Sequence, residues 1–250
     1  MNKFTIIVPA MLLICSYSYS QELKTHEHAV MLNFLQIKEE MNYGLVFRGP
    51  GLGYTYSASW ENSRRIIDVK PRVDLTVPFA KGIIAASFNL VPVMFDYLFK
   101  MGKAGRIRVG PYAIAEYNYE LYPDLQSGYS FWYTNFSLGG VATGYFNLNK
   151  NRFDISLHTT LCGFTSRQPV YDDPYYFNLS LGDIVRFVHQ DLQFGSFGTY
   201  NNSEIELRWT HDRQSRLAYG YCIRFYGYFN EPSLMMIDQA VKLFILPKNK

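Results

Sequence analysis

The 250-residue sequence predicts an all-β chain, a transmembrane antiparallel up-and-down β-barrel of about 12 strands, within a range of about 10–14. Three observations predict it. Apolar and charged residues alternate along many segments with the period of two that a strand imposes on its two faces. Aromatic rings are abundant, with 21 Tyr and 19 Phe against 3 Trp. Helix signals are scarce. Tyrosine in such numbers suits a boundary where one end of the ring is apolar and the other wet.

The N-terminus comes first. Lys3 opens a short basic region, residues 4–15 are apolar, and Ser18 and Ser20 stand at the −3 and −1 positions of a cut before Gln21. Residues 1–20 therefore read as a secretory signal peptide. Ile14, ahead of Cys15, departs from the small residue that a lipidated cysteine wants there. Residues 21–40 form an N-terminal segment that is periplasmic, lumenal or part of the first strand, and 41–250 form the barrel.

Strands are expected near 41–48, 51–61, 64–79, 83–100, 104–121 and 128–148, then near 151–166, 174–187, 190–200, 203–211, 215–229 and 233–247. The stretch 105–121 shows the pattern. Ile107, Val109, Ala113, Tyr117, Tyr119 and Leu121 alternate with Arg106, Arg108, Glu116 and Glu120. "GIIAASFNLVPVMFDYLF" (82–99) is long and apolar, but Pro92 would break a helix and Asp96 would be costly at membrane depth, so a strand is expected. Pro71, Pro92 and Pro111 sit inside expected strands, where bulges or kinks must accommodate them. "RGPGLG" (48–53) lacks the Lys and Ser/Thr of a phosphate loop and reads as a turn.

The connections alternate in length. "ENSRR" (61–65), "GKAG" (102–105), "LNKNR" (148–152) and "HDRQS" (211–215) are short and polar; "YPDLQSG" (122–128), "SRQPVYDDP" (166–174), "YNNS" (200–203) and "NEPS" (230–233) are longer or richer in turn residues. With 24 basic against 21 acidic residues and no basic block, the chain is not built for nucleic acid. Cys162 and Cys222 do not make a disulfide framework.

With its signal peptide, alternating strands, aromatic residues near strand ends and even strand count, the chain resembles the bacterial outer-membrane β-barrel class over 41–247. The resemblance implies an outer-membrane location, short turns on the periplasmic side, membrane lipids around the apolar face, and a small solute or a protein as further partner. It calls for no cofactor. The end, "LFILPKNK" (243–250), departs from the terminal aromatic residue such barrels often carry, with Phe244 set back.

The charged register would then line the lumen through Asp68, Lys70, Arg72, Asp74, Asp96, Lys100, Arg106, Arg108, Glu116, Glu120, Arg152, Glu204, Glu206, Arg208, Arg216 and Arg224. Such residues set selectivity in a pore or close the interior as an ion-paired plug. About 12 strands enclose only a modest interior, which favours the plug. The leading expectation is a non-catalytic barrel, structural, narrowly conducting or partner-binding. A membrane-embedded lipid hydrolase is the first alternative, a secreted soluble β-barrel binding protein the second.

The hydrolase reading rests on "RFDISLHTTLCG" (152–163), where Asp154, Ser156, His158 and Thr160 share a face. These are the residue types of a nucleophilic triad. Neighbours two apart on a strand are about 6.5–7 Å apart, too far for contacts of about 2.6–3.2 Å. Outer-membrane phospholipases and lipid A deacylases place Ser two residues after His; here Thr160 holds that position. Asp172 and Asp173 of "YDDPYY" (171–176) are weak Ca²⁺ candidates, since two adjacent carboxylates also suit a solvated loop.

Overall fold

The computed structural model describes residues 25–40, 44–102, 105–123, 129–167, 189, 192–211, 215–231 and 233–247. They form one antiparallel sheet closed on itself. Its strands are β1 (Thr25–Glu39), β2 (Val46–Glu61), β3 (Arg65–Val69), β4 (Arg72–Thr76), β5 (Phe79–Ala80), β6 (Ile83–Ile84), β7 (Ala86–Met101), β8 (Ile107–Tyr122), β9 (Tyr129–Leu148), β10 (Asn151–Arg167), β11 (Gln193–Ser196), β12 (Tyr200–Thr210), β13 (Leu217–Tyr228) and β14 (Leu234–Ile245). Around the ring β1 pairs β14, then β13, β12, β10, β9, β8, β7, β3 and β2, and β2 pairs back onto β1.

The ring has ten staves. β3 and β4 share one, both lying between β2 and β7. β11 and β12 share another, both paired to β10. β5 and β6 are a small hairpin beside β2, turned at Lys81 and Gly82 with φ of 47° and 85°, the double positive φ of a tight hairpin turn. An even antiparallel ring brings every short turn (62–64, 102–106, 149–150 and 211–216) to one end and the longer connections to the other.

The count of ten rather than about 12 has local causes. Val46–Glu61 form one strand where two were expected, at 41–48 and 51–61, because "RGPGLG" is not a turn but lies within β2. Its Pro50 and Leu52 face outward while Gly49, Gly51 and Gly53 face inward. A Cβ on Gly51 would run into the Thr76 side chain, so the missing side chains let β4 press close. Thr25–Glu39, within the segment expected to be periplasmic, lumenal or part of the first strand, form β1, which closes the ring through twelve pairs with β14 and fourteen with β2. The expected strand at 174–187 lies outside the described residues, and that at 190–200 reduces to β11.

The three prolines are handled in different ways. Pro71 ends β3 and separates it from β4, yet backbone bonds continue across the break, from Lys70 N–H to Met94 O at 2.8 Å and from Tyr56 N–H to Pro71 O at 3.1 Å. Pro92 sits in a bulge between Leu90 and Val93. The bulge reverses the inward parity, so Val91 is buried inside the barrel rather than facing out with Val93 and Phe95. Pro111 faces outward in β8 with no register shift.

The outer face is apolar. One row runs in register across eight neighbouring staves: Ile155, Leu207, Tyr221, Val241, Leu32, Leu52, Leu75 and Phe88. All eight are exposed, Leu32 at 64%. Towards the short-turn end the outer face becomes aromatic, with Phe146 stacked on Phe153 at 5.1 Å, Trp209 on Tyr219 at 5.6 Å and Tyr97 edge-on to Phe99 at 5.0 Å. Phe79, Phe164, Phe194 and Phe229 lie exposed towards the other end. This is the inside-out pattern of a membrane-spanning barrel, an apolar belt between two aromatic girdles around a polar interior. No described helix is long and apolar enough to cross a membrane.

Candidate functional site

The inner wall is the other half of each strand. In β14 the alternation is complete: Leu234, Met236, Asp238, Ala240, Lys242 and Phe244 are buried, and the residues between them face out. The same geometry turns Asp68, Lys70, Arg72, Asp74, Asp96, Lys100, Arg108, Glu116, Glu120, Arg152, Glu204, Glu206, Arg208 and Arg224 to the inside. Arg106 and Arg216 stand just before Ile107 and Leu217, where β8 and β13 begin, and both are exposed at the short-turn end. Glu27, Asn33, Glu39, Glu61, Arg167, Asp238 and Lys242 join the interior unanticipated. The period-two spacing of Glu27, Asn33 and Glu39 carries the signal, in a segment for which a strand is only one of three expectations.

Ion pairs cross the lumen between staves that are not neighbours. Arg72 on β4 reaches Glu204 on β12 at 2.8 Å, and Arg224 on β13 reaches Asp74 on β4 at 2.7 Å. Arg72 Nε also lies 3.3 Å from Asp74, and Arg224 pairs with Asp238. Nearer the short-turn end, Lys70 and His158 converge on Asp96 at 2.7 and 3.1 Å, and Lys242 pairs with Glu206. Towards the other end, Asn202 on β12 donates to Glu116 on β8 at 2.6 Å, and Arg167 on β10 bonds Glu39 on β1 at 2.7 Å.

Aromatic packing completes the filling. Towards the long-loop end, Phe47, Tyr122 and Phe131 meet edge to face, and Tyr133 stacks on Tyr226 at 4.2 Å. Arg167 lies over Tyr228 at 4.9 Å. Towards the short turns, Arg208 covers Phe244 at 4.7 Å and Arg152 covers Tyr145 at 4.5 Å. Between these layers lies a cavity of about 40 Å³, bordered by Asn33, Arg72, Asp74, Glu116, Arg224 and Asp238. It holds about three waters, far below the 300–1,000 Å³ or so of sites that enclose a small molecule.

The stretch 152–163 does not assemble a nucleophilic triad. His158 is buried at 2% exposure and donates from Nε2 to Asp96, while its Nδ1 has no partner among the described residues. Asp154 is held by Arg152 at 2.6 Å. Thr160 Oγ1 accepts the Asn202 amide at 2.9 Å. Ser156 and Thr160 share the inner wall with His158 instead of meeting lipid.

Asp172 and Asp173 lie outside the described residues. The metal-like group among the described residues is Glu204, Glu206 and Cys222, with ligand atoms within 4.8 Å of one another. The Lys242 ammonium bonds Glu206 and lies 3.9 Å from Glu204, supplying the charge that a metal would bring. Cys162 and Cys222 are both free thiols.

No protein-family model matches the chain, and neither does any curated protein sequence. Among solved structures it is similar to the translocator domain of the autotransporter NalP from Neisseria meningitidis, at 6% identity over 97% of this chain and 95% of that one, with a TM-score of 0.42. An outer membrane channel from Pseudomonas putida F1 gives 8% identity, 91% and 97% coverage and a TM-score of 0.37. A FadL homologue from Pseudomonas aeruginosa gives 11% identity, 82% and 61% coverage and a TM-score of 0.37. Similarity at this level carries no functional information.

Proposed function

We propose that the chain is an integral outer-membrane β-barrel, non-catalytic, whose lumen is closed by its own side chains and which acts as a structural or partner-binding element of the membrane. The observation that carries this reading is the pair of cross-lumen bridges at mid-height, Arg72 to Glu204 and Arg224 to Asp74. A conducting pore keeps such groups apart and wet; here they meet. The apolar row through Leu32 and Leu52 supports contact with lipid, because a contiguous apolar belt of this kind is costly in water. A closed barrel is one of the two architectures that satisfy every backbone group at membrane depth. The expected signal peptide and the short turns gathered at one end fit the outer membrane, with that end in the periplasm.

Membrane fractionation and migration on unboiled gels test the location: the protein should sediment with membranes and shift on boiling. Recovery as a soluble periplasmic protein defeats this reading. Planar-bilayer recording tests the closure. The native protein should be silent, while Arg72→Ala combined with Arg224→Ala should conduct. A steady native conductance would replace the plug with a pore. His158 serves in this reading as a strut on Asp96, so purified protein and His158→Ala should release no lipid products.

A further inference from the structure

The apolar outer wall is broken in one sector. Among the described strands, the long-loop half of that wall carries two charged side chains, Lys38 on β1 and Arg48 on β2, and both are exposed. They are neighbours. Gln36 stands opposite Arg48 and Lys38 opposite Val46, so Lys38 and Arg48 are diagonal partners on one face. Diagonal partners are about 7–8 Å apart, within reach of long side chains. On the other side of β2, Phe79 stands opposite Arg48, and the β5–β6 hairpin turns at Lys81, a third exposed cation. Elsewhere in this half the strands direct their charged groups inward, as with Glu116, Glu120, Glu204, Arg224 and Asp238.

Their height suits a membrane interface. On the outer face of β1 the polar residues His28 and Gln36 stand four positions either side of Leu32, which puts Leu32 and its partner Leu52 at the middle of the belt. Arg48 is four residues above Leu52, and Lys38 six above Leu32. At about 3.3 Å per residue and a tilt of about 40°, the two stand about 10 and 15 Å above the middle, either side of the edge of an apolar band about 25 Å tall. Arg48 Nε donates to Gln36 Oε1 at 3.0 Å, which orients the guanidinium and leaves both Nη groups without an acceptor among the described residues. Lys38 makes no ion pair among them. Glu40, just beyond β1, accepts the Ser233 amide at 2.7 Å. Beneath the cations the wall is apolar, with Phe34 and Phe79 exposed at 50% and 57%.

From this cationic sector set over an apolar wall, we infer that the chain binds a phosphate-bearing glycolipid of the outer leaflet through Arg48, Lys38 and Lys81. This rests on the function proposed above, which puts the short turns in the periplasm and so turns this sector to the outer leaflet. The guanidinium fork matches two oxygens of one phosphate, and each ammonium adds a point charge to that phosphate or to a second one. The aliphatic stems lie along the wall while the charged heads reach headgroup level. Acyl chains then run down past Phe34, Phe79 and Leu52. Basic residues that merely reach for water need no common place on the ring. Here three of them, from separate stretches of sequence, meet in one sector.

The experiment uses the full chain refolded into detergent micelles and titrated with diphosphoryl lipid A, with bound lipid read by native mass spectrometry. The native chain should retain lipid A. Lys38→Gln combined with Arg48→Gln should weaken the apparent affinity by about tenfold or more, the size expected when two basic groups beside a lipid headgroup are removed. Lys81→Asn, which suits the positive φ at that position, should weaken it less and provides the readout if the double variant does not fold. Arg64→Gln combined with Lys150→Gln removes the same charge at the short-turn end and should change nothing. Phosphatidylglycerol, with one phosphodiester, should bind about tenfold more weakly than lipid A. Equal lipid A binding by the native chain and the Lys38 and Arg48 double variant would overturn the proposal. An equal loss in the short-turn variant would overturn it in favour of net charge, and equal affinity for phosphatidylglycerol would overturn it in favour of any anionic lipid. The same samples are run on unboiled gels: a chain that shifts on boiling but binds no lipid A defeats this inference alone, and a chain that does not shift defeats the barrel as well.

Discussion

The two faces of each strand are one residue apart and obey opposite physics. On β14, Val241 and Leu243 face out, while Asp238 and Lys242 are buried among other charges. The outer face tolerates exposure because its residues are mostly apolar and leave no buried polar group to satisfy. The inner wall works through groups that satisfy one another, often across the lumen. Damage outside should therefore scale with the polarity introduced, and damage inside with the number of partners abandoned.

The largest expected effect is inside. Asp96→Ala leaves Lys70 and His158 turned towards a carboxylate that is gone, and breaking a buried pair in this way costs about 3–5 kcal/mol. Urea unfolding in lipid vesicles measures it. A cost below about 1 kcal/mol would mean that the inner wall is wet and open. Next comes the outer face. Leu32→Arg at the middle of the apolar row should cost about 2–4 kcal/mol in vesicles. An exposed position on a soluble protein would absorb the same change within about 0.5 kcal/mol, so this substitution separates lipid from water directly.

A smaller effect tests the junction of the two faces. Gly51→Ala places a methyl group against Thr76 and against Leu75 O, 2.5 Å away, and should cost about 1–3 kcal/mol by overpacking. The smallest effect lies outside the belt. Glu40 accepts the Ser233 amide at 2.7 Å, and that bond holds its carboxyl below the usual carboxylate range. Its contribution is present above the ordinary carboxylate pKa and is lost as pH falls through the lowered value. Protection of the Ser233 amide from exchange should weaken at acid pH in the native protein. Glu40→Gln should abolish that dependence; if it persists unchanged, another group controls the loop.

Most of the architecture was legible in the sequence where alternation was clean. β8, β10, β12 and β13 lie close to where period two placed them, and the longest uninterrupted charged registers face inward. The reading failed where composition hid the period. Glycines at 49, 51 and 53 looked like a turn because they present no side chain to alternate, and the bulge at Pro92 reversed the face of Val91 within one strand. Arg106 and Arg216 show the limit at strand ends, where a residue of the charged register is exposed rather than enclosed.

Which face of a strand is polar is a local property, since successive side chains point opposite ways regardless of what the strand pairs with. The sequence by itself therefore determined the all-β class, the two-faced strands and the chemical nature of both walls. Closure was decided by the tertiary structure alone. β1 must pair with β14, about two hundred positions along the chain, before there is an inside at all. Arg72 meets Glu204 across 132 residues and Arg224 meets Asp74 across 150. Those distances in sequence carry no periodic signal, so the plug and the cavity exist only once the ring has closed.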